Sequence, residues 1–129
     1  MNIFKKKVGS TDNEISKSSN VNWNQITTLS QLNEIQEISK TKPAIIFKHS
    51  TTCMISRMAL KNFEKEFELQ NEVEAYLLDL LNFREISNQI AAKFDVKHQS
   101  PQLLLIKNEI AVYNTSHESI DAATLKSKI

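Results

Sequence analysis

Cys53 is the single thiol of the chain, and it stands in the run Lys48-His49-Ser50-Thr51-Thr52-Cys53-Met54-Ile55-Ser56-Arg57. A lone cysteine can react, or it can pack as a small hydrophobe, and its surroundings decide between the two. Here they are polar: hydroxyls at Thr51, Thr52 and Ser56, and positive or ionisable groups at Lys48, His49 and Arg57. The reactive form is the thiolate, which is favoured by nearby cations or by the unpaired amides that open a helix. In the spacing Cys53-x-x-Ser56 a hydroxyl stands where a dithiol enzyme carries its second cysteine. Ser56 can donate a hydrogen bond to a thiolate but cannot resolve a mixed disulfide, so any exchange must be completed by an external thiol. Cys53 is therefore the candidate nucleophile, with Thr52, Ser56 and His49 as candidate supports for its thiolate. For Ser56 an ordinary place on the helix surface is an equal reading, and His49 is read as tuning the sulfur or ending a strand in solvent.

The corner that holds Cys53 follows from what flanks it. Ala44-Ile45-Ile46-Phe47 is a short apolar run that reads as a buried strand. Ile55, Met58 with Ala59, Phe63 and Phe67 then recur at helical spacing, with Met58 among the core residues. Thr51 or Thr52 is expected to cap this helix, leaving Cys53 in its first turn.

The remaining elements are read in chain order. Residues 1–20 are polar and aperiodic and read as a flexible arm, whose Lys5-Lys6-Lys7 is taken as a solvated run. Val21–Ile26 alternates as a strand, and Thr28 with Gln31 suggests a capping box before a helix on Leu29, Leu32, Ile35 and Ile38 that stops before Pro43. Val73–Leu78 reads as a strand. Asn82 and Glu85 suggest the cap of a helix carrying Phe83, Ile86, Ile90 and Phe94. Leu103–Ile106 and Ile110–Tyr113 form a hairpin about Asn108, and a last helix over 119–126 turns Ile120 and Ala123 inward. Right-handed crossovers make the first strands parallel, and the hairpin adds an antiparallel edge. The expected fold is α/β and thioredoxin-like: a mixed central sheet of about five strands flanked by four helices, over residues 21–129. In that arrangement Ser100-Pro101, just before the fourth strand, takes the place of the cis-proline loop that faces the active thiol. The Ser100 backbone is then placed to pair with a bound peptide or thiol, making Ser100 and Pro101 substrate-loop candidates.

Composition removes several alternatives. The formal charge of +1, from 16 basic and 15 acidic residues, gives no basic stripe, so no nucleic-acid partner is expected. No apolar stretch approaches the roughly 20 residues of a membrane span, and no signal-type run follows Met1–Lys7, so a cytoplasmic protein without a membrane partner is expected. With one cysteine there is no internal disulfide, and with Gly9 as the single glycine neither a phosphate loop nor a dinucleotide fingerprint can form. His98 and His117 read as surface residues, and the scattered histidines give no metal spacing. A phosphatase loop would need arginine where Ala59 stands.

Phe47-Lys48-His49-Ser50-Thr51-Thr52-Cys53-Met54-Ile55-Ser56, with Trp23, Pro43 and Ser100-Pro101-Gln102, resembles the monothiol bacilliredoxins of the bacillithiol system. Their motif is Thr-Cys-Pro-Ile-Ser, and here Met54 stands in place of the proline. The resemblance implies removal of bacillithiol from protein mixed disulfides, with Cys53 as nucleophile. It implies thiolated client proteins as partners, bacillithiol or a similar low-molecular-weight thiol as co-substrate and a flavoprotein reductase for recycling. No bound cofactor is expected, and the chain is expected to be a monomer. The alternatives are a non-catalytic thioredoxin-like binding module and, behind it, a thiol peroxidase.

Overall fold

The computed structural model describes residues 20–129, and their elements follow in the expected order. These are β1 (Trp23–Gln25), α1 (Ser30–Ile38), β2 (Ala44–His49), α2 (Met54–Glu66), β3 (Glu74–Asp79), α3 (Arg84–Lys93), β4 (Gln102–Lys107), β5 (Ile110–Ser116) and α4 (Ala122–Lys128). A single 3-10 turn, His117–Ser119, precedes α4. The arm expected over 1–20 lies outside the described residues except for Asn20, which is tied to the end of α2 through Glu64 O (3.3 Å) and Lys65 O (3.0 Å).

The sheet runs β1-β3-β2-β4-β5, with β1 and β2 parallel to β3 and the β4–β5 hairpin antiparallel. This is the mixed thioredoxin-like sheet. Because successive strand side chains alternate, β2 sends Ala44, Ile46 and Lys48 to one face and Ile45, Phe47 and His49 to the other. Ile45, Phe47, Leu103 and Leu105 pack under α2 and α4 against Phe63, Phe67, Ala122 and Leu125. Ala44, Ile46, Leu104 and Ile106 pack under α1 and α3 against Leu32, Ile35, Ile86 and Ile90. With both faces covered, β2 and β4 must be apolar almost throughout, and each buried Ile or Leu stabilises the fold by about 1.5–3 kcal/mol. Phe63 anchors the first layer, its ring centroid 5.5 Å from both Phe47 and Phe67. Trp23 joins this group at 6.0 Å from Phe47 and donates its indole N–H to Glu64 Oε2 at 2.7 Å. No helix among the described residues is long and apolar enough to cross a membrane.

Several local expectations are corrected. Gln31 Oε1 accepts from the amides of Thr27 (2.7 Å) and Thr28 (3.0 Å), which is half of a capping box; the Thr28 hydroxyl does not return the bond, and Leu29 is exposed. Asn82 does not cap α3: its amide donates to Asp79 Oδ2 at 2.7 Å. α4 is capped by Asp121, which accepts from Thr124 N at 3.0 Å, and buries Ala122 and Leu125 while Ala123 is exposed. The later start changes the helical phase. In the hairpin, Asn108 (φ 51°) and Glu109 (φ 75°) both take left-handed angles without glycine. Ser39 holds the turn, its carbonyl accepting from Asn108 N and its hydroxyl from Glu109 N, each at 2.8 Å.

Candidate active site

β2 ends at His49, four residues follow, and α2 begins at Met54. Cys53 is the N-cap residue itself, extended at φ −98° and ψ 122°, with its side chain exposed. The threonines do not cap the helix, which starts later than expected. The Cys53 carbonyl accepts from Arg57 N at 3.0 Å, so the chain turns helical immediately beyond the sulfur-bearing residue. Among the described residues no side chain caps the first turn of α2, whose amides are left facing the corner where Cys53 sits. The arrangement is an accessible thiol at the positive end of a helix.

The expected supports are placed differently. Thr52 is exposed, and its hydroxyl lies 3.4 Å from that of Ser50, with no bond to the sulfur. Ser56 is fully buried, which overturns the surface reading, and its Oγ accepts the Ser50 N–H at 2.9 Å. It therefore ties the helix back onto the loop and has no hydrogen bond to Cys53. α2 is rotated to bury Ser56 and Phe63, so Ile55 and Met58 point outward and are 67% and 56% exposed. They were expected in the core because apolar spacing alone does not distinguish a core stripe from an exposed apolar face. With Met54, also exposed, they form an apolar rim beside Cys53.

His49 does not end in solvent: it is buried on the α2 face, and among the described residues its Nδ1 has no hydrogen-bond partner. Burial lowers its pKa, against an opposing pull from Asp79, its register partner on β3. Lys48, expected to add charge near the thiol, points to the opposite face. It is fully buried, burial brings its pKa down to about 8, and its Nζ lies 2.9 Å from His98 Nδ1. Arg57 remains exposed one turn beyond Cys53.

The Ser100–Pro101 bond is cis, with Pro101 buried and its carbonyl accepting from His117 N at 3.1 Å. Lys48 pairs with Gln102 across β2 and β4, which brings this loop to the same end of the sheet as the β2–α2 corner. Sequence reasoning missed the contact between Lys48 and His98, which lie 50 residues apart with no local signal joining them. It also missed the shallow groove formed by Ile55, Met58 and Ala59 with His117, Glu118 and Ile120. Among the described residues, no three of His, Cys, Asp or Glu gather in a metal-binding group.

A lone exposed thiol at the strand-to-helix corner of this sheet, with a cis-proline loop at the same end, defines a thiol-redox protein of the thioredoxin class. The family described as monothiol bacilliredoxin BrxC matches residues 24–125, and the chain belongs to that family. A solved structure described as having a thioredoxin fold is 31% identical, with a TM-score of 0.71 over 81% of this chain and 91% of that one. Thioredoxin from Fasciola hepatica is 20% identical, with a TM-score of 0.61 over 81% of this chain and 94% of its own. Thioredoxin from Malassezia sympodialis is 19% identical, with a TM-score of 0.60 over 81% and 84%. These two share the fold.

Proposed function

We propose that the protein removes bacillithiol, or a similar low-molecular-weight thiol, from protein mixed disulfides by a monothiol mechanism at Cys53. The observation that carries this reading is an exposed Cys53 at the opening of α2 in a chain with no other cysteine. In the first step the Cys53 thiolate attacks the bacillithiol sulfur of the client disulfide. That bond breaks, the client leaves as a thiolate that takes up a proton, and Cys53 holds bacillithiol as a new mixed disulfide. In the second step a bacillithiol thiolate attacks the bound bacillithiol sulfur. Cys53 departs as a thiolate, and bacillithiol disulfide is released for reduction by a flavoprotein with its own electron donor. Ser56 keeps the loop folded onto the helix through both steps, and Ser100–Pro101 lies beside the incoming disulfide. The setting is the cytoplasm, with residues 21–129 as the working domain of a monomer.

Incubating the protein with bacillithiol disulfide is expected to add the mass of one bacillithiol at Cys53. Cys53→Ser is expected to abolish removal of bacillithiol from a client protein, and unchanged removal by that variant would end the reading. A binding module without chemistry is the second reading, favoured by the apolar rim of Met54, Ile55 and Met58. It expects client capture that survives Cys53→Ser and slow alkylation of Cys53 by iodoacetamide near neutral pH.

A further inference from the structure

Lys48 is costly where it lies. A buried ammonium loses its hydration, and among the described residues no carboxylate is in ion-pair contact with it. An apolar side chain would fill the place more favourably. What Lys48 does instead is reach His98, an exposed residue whose Nδ1 turns inward to within 2.9 Å of the Lys48 Nζ. Its register partner Gln102 is also fully buried and uses both ends of its amide on the same loop: Nε2 donates to Lys97 O at 2.9 Å, and Oε1 accepts from Gln99 N at 3.4 Å. Three consecutive residues, 97, 98 and 99, are thus held by two buried polar side chains of one strand pair. The next two are Ser100 and Pro101.

We propose that Lys48 is a positioning residue: through His98 it holds the 97–101 loop in the shape that receives the substrate disulfide. The proposal rests on the Cys53 reading for its substrate. At neutral pH the lysine donates to an unprotonated His98, because burial and the charges of Lys48 and Arg84 all lower the histidine's pKa. Ser87 of α3 adds a hydroxyl 3.5 Å from the same nitrogen. When His98 takes a proton, Nδ1 can no longer accept and two cations face each other, so the loop is released. His49 titrates on the opposite face, beside Asp79, and does so equally in proteins that differ only at His98.

The test measures KM for a bacillithiolated client protein between about pH 5 and 8, with iodoacetamide alkylation of Cys53 and amide exchange of residues 97–100 alongside. Wild-type KM is expected to rise as pH falls through the His98 titration. H98Q keeps an acceptor for Lys48 but cannot titrate, so the acid rise in KM that wild type shows beyond the dependence the two proteins share is expected to be absent. K48M is expected to raise KM about tenfold at neutral pH, the size of a lost charge-assisted hydrogen bond, with faster exchange at 97–100 and unchanged alkylation. An unchanged KM in K48M, or an H98Q profile that follows the wild type, overturns the proposal. Should K48M fold poorly, the H98Q profile alone decides. Absence of any bacillithiol removal by the wild type would overturn the Cys53 reading instead, and the loop assignment would then stand or fall on the exchange rates.

Discussion

Ser56 Oγ accepts the backbone N–H of Ser50 at 2.9 Å, closing the loop that carries Thr51, Thr52 and Cys53 back onto the first turn of α2. The Ser56 side chain is wholly buried, so replacing it leaves the Ser50 amide without this partner. Ser56→Ala is expected to cost about 1–3 kcal/mol of stability by urea denaturation, and to slow client turnover by loosening the corner. A variant as stable as the wild type would show that the bond does not matter.

Met54 is the first helical residue of α2, and Cys53 before it is extended at φ −98° and ψ 122°. Both are the conditions a proline needs: the amide of the first helical position has no intrahelical acceptor, and the preceding residue must avoid the helical region. Met54→Pro is therefore expected to be accepted and to stabilise the fold by about 0.4–1 kcal/mol, through a less flexible unfolded chain. Thermal unfolding of the two proteins measures this, and a lower midpoint for the proline variant would contradict it.

The element order and the sheet were legible because apolar runs and turns are local signals, and β2, β3, α3 and the hairpin lie close to their expected places. The details of the site were not, because they depend on helix rotation and strand facing. A shift of one or two residues in the start of α2 made Cys53 the cap, and its rotation turned Ser56 inward and Ile55 outward. Ala44–Phe47 predicts a buried strand, but not that burial continues through Lys48 and His49, since nothing local reveals the loop that covers Lys48.

The same rotation separates two residues that the apolar pattern had grouped together. Phe63 is buried among Phe47, Phe67 and Trp23, and Phe63→Ala is expected to cost about 3–5 kcal/mol. Met58→Ser, on the exposed face of the same helix, is expected to change stability by no more than about 0.5 kcal/mol. Equal losses from the two variants in chemical denaturation would place Met58 in the core and refute the observed orientation of α2.

Lys48 gives the stability curve a recognisable alkaline feature. Its pKa is about 8 in the fold against 10.5 ordinarily, so between these values the unfolded chain holds more of the proton. Stability should then rise with pH across that window, with the full gain present above about 10.5 and lost as pH falls toward about 8. Below it both states carry the charge, and the cost of burying it is constant. Lys48→Met removes the amine and should flatten this part of the curve while leaving stability near neutral pH unchanged or higher. Denaturation midpoints for both proteins across the alkaline range test this; a rise of equal slope in the variant would assign the proton to another group.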